Sequence, residues 1–125
     1  MVSQSVLANS GFNLIHPADL SAMLEKKAAP ISIFDANTPD FRAKNGVIPG
    51  ALLLASSKSY DPAKTLPADK NSQLVFYCAN EQCMASHAAA ERAVKAGYAH
   101  VAVLADGMLG WNAWKTSGKT NSKTN

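Results

Sequence analysis

The chain has 125 residues, 47% of them hydrophobic and 17% charged, which is typical of one folded globular domain and excludes a disordered chain. The net charge is +3, and three lysines near the carboxyl terminus account for this excess: Lys115, Lys119 and Lys123. The rest of the chain is electrically balanced, and no apolar run approaches the roughly 20 residues of a transmembrane helix. We therefore expect no nucleic-acid partner, no membrane association, no secretory signal and a cytoplasmic location.

The first half of the chain alternates short apolar runs with amphipathic stretches, a pattern typical of α/β folds. A short strand is predicted at Asn13–Ile15. A helix should begin at Pro17 and end before Pro30, because proline suits the first helical turn and stops the pattern later. Ile31–Asp35 predicts a second strand that ends in an acid. Two further elements are predicted before residue 55: a short helix at 39–44 and a buried strand at 51–54.

The second half of the chain continues the alternation. Residues 56–71 are polar and contain proline, so we predict a loop with one helical turn. The β-rich run at 74–77 is the strongest strand signal in the chain. The remaining predicted elements are a helix at 86–96 capped by Ser86, a strand at 101–104, a helix at 108–116 that buries Trp111 and Trp114, and a disordered tail at 118–125. These elements predict one domain over 1–117, with a mainly parallel sheet of about five strands and helices on both faces.

Cys78 is the residue where we expect chemistry. It directly follows the strand at 74–77, and parallel sheets place ligands at the carboxyl ends of their strands. A helix begins a few residues later, and both the helix dipole and the backbone N–H groups of the loop favour an anion. These effects enrich the thiolate, which is the nucleophilic form of cysteine. The alternative is a buried thiol with a packing role.

Several segments in the same order resemble the rhodanese-like domains. They are the acid-ending strand at 33–35, the turn Gly46-Val47-Ile48-Pro49-Gly50-Ala51, the strand and cysteine at 75–78, the helix with Ala89-Ala90 that ends at Gly97-Tyr98, and the segment from Leu104 to Trp111. The resemblance covers residues 13–114. It implies the three-layer rhodanese-like sandwich.

The resemblance also implies a function and a set of site residues. Members of the family are sulfurtransferases whose cysteine takes a sulfane sulfur from thiosulfate or a persulfide and passes it to a thiol. Cys78 would be the nucleophile, and Asp35 would support the site or act as a turn residue. The loop that would bind the substrate consists of Ala79, Asn80, Glu81, Gln82, Cys83 and Met84. The partners expected are a small sulfur donor and a thiol acceptor, either small or carried on a protein; no cofactor and no metal are expected.

The loop departs from the family's common pattern Cys-x-x-Gly-x-Arg. No arginine lies between Cys78 and His87, and the charged residue of the loop is Glu81. A carboxylate repels an oxygen-rich dianion that a guanidinium would bind, so a persulfide donor is favoured over thiosulfate. The same feature disfavours the phosphatase relatives of this fold, which need an arginine at the phosphoryl group.

Cys83 leaves two interpretations open. It is either a resolving thiol that attacks oxidised or persulfidated Cys78, or a small loop side chain packed against the helix. A metal site of Cys78, Cys83 and His87 is a third interpretation, although the spacing matches no common zinc pattern. His16, His87 and His100 are expected to be ordinary residues at element ends. Two alternative functions follow: a thiol–disulfide redox protein using Cys78 and Cys83, or an interaction module without catalysis.

Overall fold

The computed structural model describes residues 11–26 and 30–117. The strands are β1 (Asn13–Ile15), β2 (Ile31–Asp35), β3 (Leu52–Leu53), β4 (Gln73–Tyr77) and β5 (His100–Leu104). The helices are α1 (Pro17–Lys26), α2 (Pro39–Asn45), α3 (Pro62–Thr65), α4 (Ala85–Lys95) and α5 (Gly107–Thr116). The predicted tail at 118–125 lies outside the described residues, so the domain boundary at 117 stays a prediction.

The strands form one five-stranded sheet in the order β1-β5-β4-β2-β3, and every pair is parallel. β4 lies at the centre, where Phe76 is in register with Phe34 of β2 and with Val103 of β5. Because all strands run the same way, their carboxyl ends meet at one edge of the sheet. The predicted mainly parallel sheet of about five strands is confirmed.

Both faces of the sheet are covered by helices, as predicted. Alternate side chains of β4 point to opposite faces, as the pleat of a strand requires. Leu74 and Phe76 lie in a core with Ala89, Ala90 and Ala93 of α4. Val75 and Tyr77 lie in a second core with Leu20 of α1 and with Met108, Trp111 and Trp114 of α5. Burial on both sides explains why β4 is a continuous apolar run, and it confirms the predicted core role of the two tryptophans.

The predicted buried strand at 51–54 is wrong in its burial and its length. β3 is two residues long, and its side chains are exposed, Leu52 by 53% and Leu53 by 57%. β3 lies at the edge of the sheet and pairs with β2 alone among the described strands. An apolar run therefore did not indicate burial here, and Leu54 after the strand is the leucine that enters the core.

Local sequence signals set both ends of helix α2, and the helix in turn positions Arg42. The Phe41 amide donates to Thr38 Oγ1, which caps the helix, and Pro39 follows in the first turn. The helix ends at Gly46, whose φ of 83° lies in the left-handed region that favours glycine. These signals place Arg42 on α2 against the carboxyl end of β2.

Among residues 11–26 and 30–117, no helix combines the length and the apolar character needed to cross a bilayer.

Candidate functional site

Cys78 is the first residue beyond the central strand β4, at the carboxyl edge of the sheet. It is almost completely buried, with 1% of its surface exposed. The carbonyl of Cys78 accepts the Met108 amide at 2.8 Å, and the carbonyl of Ala79 accepts the Leu109 amide at 3.0 Å. The amino end of α5 therefore holds the backbone at the start of the loop.

Gly107 explains how α5 can come so close to this loop. A Cβ atom at Gly107 would lie 2.5 Å from the backbone carbon and oxygen of Ala79, and the φ of Gly107 is +68°. Both the contact and the backbone conformation require glycine here. The family-like segment around residue 107 thus has a physical role, which is to seat the loop that follows Cys78.

Cys78 and Cys83 form a disulfide, with their Cα atoms 6.2 Å apart. This distance lies within the usual range for disulfides. Asn80 folds the loop back between them: its side-chain oxygen accepts the Gln82 amide at 3.0 Å, and its carbonyl accepts the Cys83 amide at 3.1 Å. Because the Asn80 turn brings residue 83 towards residue 78, the loop itself favours closure of the pair.

Ser86 contacts the sulfur of Cys78 in two ways. The Ser86 amide donates to Cys78 Sγ at 3.4 Å, and the Ser86 hydroxyl lies 3.3 Å from the same atom. The prediction that Ser86 caps the helix is wrong: α4 begins at Ala85, and the residue before it is Met84, which makes no side-chain cap. Ser86 lies in the first turn of α4, where free backbone N–H groups can bind an anion.

The remaining residues of the predicted substrate loop line its outer side. Glu81, Gln82 and Met84 are exposed, with Met84 exposed by 60%, and Asn80 and Cys83 are half-buried. The Gln82 and Cys83 amides donate within the loop in this disulfide form. The prediction that loop amides bind a donor therefore stays a prediction, and Ser86 is the residue of this part of the chain whose amide reaches sulfur.

Asp35 is fully buried at the carboxyl end of β2 and lies in a polar network. Its carboxylate accepts the Tyr77 hydroxyl at 2.6 Å, the Arg42 Nε–H at 3.2 Å and the Asn37 amide at 2.7 Å. Tyr77 OH in turn accepts the Ile48 amide at 3.0 Å. Burial, together with the hydrogen bond to Asp35, raises the pKa of Tyr77 well above its usual value.

The Asp35 network contacts the ends of β2 and β4, and these hydrogen bonds do not reach the Cys78 sulfur. The Ala36 amide donates to the Tyr77 carbonyl at 2.8 Å, and Arg42 also donates to the Asp35 and Leu54 carbonyls. The network therefore ties β2, α2 and the residue before Cys78 together. Asp35 accepts the Asn37 amide, as a turn residue would, and its predicted role in supporting the site stays a prediction.

Sequence reasoning missed the pairing of His16 with Asp106. His16 follows β1, Asp106 follows β5, and the His16 Nδ1–H donates to Asp106 Oδ1 at 2.6 Å. This hydrogen bond raises the pKa of His16. Both residues line a surface cavity of about 660 Å³ at the same edge of the sheet as Cys78. The pairing of β1 with β5 brings them together, and their positions at the ends of two predicted strands were the available signal.

The other histidines play no part in the described site. His87 is half-buried near the start of α4, and its ring packs edge-on against Phe12 with centroids 5.4 Å apart. Across the part of the chain that the structure describes, no three histidine, cysteine or acidic side chains are grouped to hold a metal ion. The metal interpretation also loses both of its sulfur ligands to the disulfide.

The fold and the site define a class of protein: a parallel α/β domain with a cysteine at the end of its central strand and a helix amino end at that sulfur. The model of the rhodanese-like domain matches residues 16–113. The chain belongs to this family. No curated protein matches it.

Several solved structures share this fold. A protein of unknown function from Rhodopseudomonas palustris, described as a possible tyrosine phosphatase, is 26% identical, with 89% of this chain and 85% of that chain covered and a TM-score of 0.63. A rhodanese-like domain protein from Staphylococcus aureus is 23% identical, with 80% and 91% covered and a TM-score of 0.63. A Bacillus halodurans protein is 21% identical, with 90% and 80% covered and a TM-score of 0.70.

Proposed function

We propose that this protein is a sulfurtransferase that carries a sulfane sulfur as a persulfide on Cys78. The observation that carries the proposal is the contact of Cys78 Sγ with the Ser86 amide at the amino end of α4. An N–H donor and a helix dipole both stabilise an anionic sulfur, and the thiolate is the form that attacks a sulfur donor. Membership of the rhodanese-like family supports the same reaction class.

The proposed cycle begins from the reduced protein, because a disulfide-bonded sulfur is not a nucleophile. The Cys78 thiolate attacks the outer sulfur of the donor, and the donor's S–S bond breaks. The leaving group departs with the electron pair of that bond, as sulfite from thiosulfate or as a thiolate from a persulfide. An acceptor thiolate then attacks the outer sulfur of the Cys78 persulfide, takes that sulfur and regenerates the Cys78 thiolate.

Charge at the loop favours an uncharged or thiol-borne sulfur over the thiosulfate dianion. The exposed charge of the loop is Glu81. The arginines of the chain are engaged elsewhere: Arg42 binds Asp35, and Arg92 donates to the Tyr60 carbonyl at 2.6 Å. We therefore propose a low-molecular-weight or protein persulfide as the preferred donor, and a small thiol or a protein thiol as the acceptor.

Phosphatase chemistry is not favoured by this site, although the Rhodopseudomonas palustris protein is described as a possible tyrosine phosphatase. Phosphoryl transfer needs positive charge around the three equatorial oxygens in the transition state. The segment from Cys78 to Ser86 contains no lysine or arginine. We expect no hydrolysis of a phosphate monoester such as p-nitrophenyl phosphate above the rate of Cys78→Ser.

Mass spectrometry of the reduced protein tests the proposal. Cys83→Ser, incubated without oxygen with glutathione persulfide and separately with thiosulfate, should gain the mass of one sulfur atom. Peptide mapping should place that sulfur on Cys78. Cys78→Ser is the matched control and should gain none. Subsequent addition of a thiol should remove the sulfur from Cys83→Ser and yield the persulfide of that thiol.

Absence of sulfur uptake would favour one of the two alternative functions, a redox protein or an interaction module. Failure of Cys83→Ser to take sulfur from either donor would overturn the proposal. Wild-type protein that then cycled between dithiol and disulfide would be a redox protein, and protein with an unreactive Cys78 would be an interaction module.

A further inference from the structure

Cys83 is the thiol that the structure brings to the proposed sulfur carrier. The disulfide with Cys78 and the Cα separation of 6.2 Å put the two sulfurs within bonding distance. The Asn80 turn folds the loop so that residue 83 lies beside residue 78, and its hydrogen bonds do not involve either sulfur. A persulfide on Cys78 would therefore form beside a second thiol of the same loop.

We propose that Cys83 discharges the Cys78 persulfide, so that the sulfane sulfur leaves the protein as hydrosulfide. This inference rests on the proposed function, because it needs a persulfide on Cys78. It makes the activity a reduction of sulfane sulfur to sulfide, with the two cysteines of the loop supplying the electrons.

The chemical step balances without an external oxidant. The Cys83 thiolate attacks Sγ of the Cys78 persulfide, and the bond between Sγ and the outer sulfur breaks. The outer sulfur leaves with the electron pair of that bond and takes up the proton lost by Cys83, which gives hydrosulfide. A Cys78–Cys83 disulfide remains, which is the bond that the structure contains. A thiol reductant, such as a dithiol, then returns the loop to its reduced form.

An internal attack has an advantage over attack by a free thiol. A group held in the same loop reacts at an effective concentration well above the millimolar level of small thiols. The Cys78 sulfur is also poorly accessible, since Cys78 is 1% exposed in the closed form, whereas half-buried Cys83 is already in contact with it. A bulky acceptor can attack the Cys78 persulfide only after the loop opens, whereas Cys83 can attack it without that opening.

The charges around the loop agree with a short-lived persulfide. No cationic side chain lies between Cys78 and Ser86 in the sequence, so this loop offers no ion pair that would hold a persulfide anion. The Ser86 amide, 3.4 Å from Sγ, remains in contact with the sulfur that is attacked.

A single-turnover experiment on the full chain tests the inference. Reduced, desalted protein is mixed without oxygen with one equivalent of glutathione persulfide, and sulfide and intact mass are measured together. Wild-type protein should release one equivalent of sulfide and end two hydrogen atoms lighter than its reduced form. In Cys83→Ser, sulfide release should fall at least about tenfold, and the protein should keep the added sulfur. Cys83→Ala provides the same test with a different side chain.

Each outcome separates this inference from the proposed function. Wild-type protein that keeps the added sulfur and releases no sulfide would overturn the role of Cys83, while sulfur transfer by Cys78 would stand. Loss of two hydrogen atoms without sulfide would overturn it as well, since the electrons would have gone elsewhere. Absence of added sulfur in both Cys83 variants would overturn the proposed function itself. Cys78→Ser controls for sulfide that the donor releases unaided.

Discussion

The Ser86 amide lies 3.4 Å from Cys78 Sγ, and the Ser86 hydroxyl lies 3.3 Å from the same sulfur. Two donors of one buried residue thus face the proposed nucleophile. After reduction they would stabilise a thiolate more than a thiol, because a hydrogen bond to an anion is the stronger of the two.

Ser86→Ala should therefore make the reduced Cys78 less reactive at neutral pH. Removing the hydroxyl leaves the amide in place, so we expect the alkylation rate by iodoacetamide to fall about threefold to tenfold, in line with the loss of one hydrogen bond worth about 1 kcal/mol. The rate is measured in a Cys83→Ser background, so that Cys78 is the reacting thiol. Ser21→Ala on α1 is the control and should react at the unchanged rate; an equal rate in Ser86→Ala would contradict the prediction.

Gly107→Ala should displace the backbone of the loop after Cys78 and destabilise the domain. The new Cβ would lie 2.5 Å from the Ala79 backbone, and φ at Gly107 is +68°. Gly50 separates the effect of the positive φ from that of the steric contact, because its φ is +87° and a Cβ there meets nothing within 4 Å. We expect Gly50→Ala to lower the free energy of unfolding by roughly 1–2 kcal/mol.

The contact adds a further cost at Gly107. Gly107→Ala should lower the free energy of unfolding by roughly 1–3 kcal/mol more than Gly50→Ala, as overpacking does in tight sites. Urea unfolding of both variants measures the difference. Equal losses would mean that the close approach of α5 to Ala79 does not matter for stability.

Asp35→Asn should destabilise the domain, because it leaves Arg42 beside a neutral amide in a site where the acid is fully buried. We expect a loss of about 2 kcal/mol or more in the free energy of unfolding, measured with urea. Asp69→Asn is the matched control, since exposed Asp69 accepts a turn amide that an asparagine oxygen can also accept. If Asp35→Asn lowered the free energy of unfolding no more than Asp69→Asn, the Asp35 network would not contribute to stability.

Asp106→Asn should lower the pKa of His16. The hydrogen bond to Asp106 is the largest cause that raises it, and NMR titration of the imidazole measures the change. A His16 midpoint that does not move would mean that the pair does not persist in solution.

The same pair predicts the sign of a pH effect on stability. A raised pKa in the folded state means that protonation favours folding, so the contribution is fully present below the unfolded value of about 6.5. It is lost as pH rises through the folded pKa. The stability difference between wild type and Asp106→Asn should therefore shrink above neutrality. It should also be small and decrease with added salt, because the His16 side chain is 64% exposed.

Local patterns were sufficient for most of the fold. Apolar runs and breakers located four strands with little error, because a strand covered on both faces must be apolar along its whole length, as β4 is. The same rule misjudged 51–54, since an edge strand can expose leucines without changing its local pattern. The position of Cys78 at the end of the central strand was also evident from sequence order.

The contacts of the site depend on parts of the chain that are distant in sequence. Asp106 reaches His16 across 90 residues because β1 pairs with β5, and Tyr77 reaches Asp35 because β2 pairs with β4. Propensity and spacing describe neighbours along the chain and carry no information on which strands are adjacent in the sheet. The sequence established which residue types stand at the ends of the strands; strand pairing and helix packing established which of them touch.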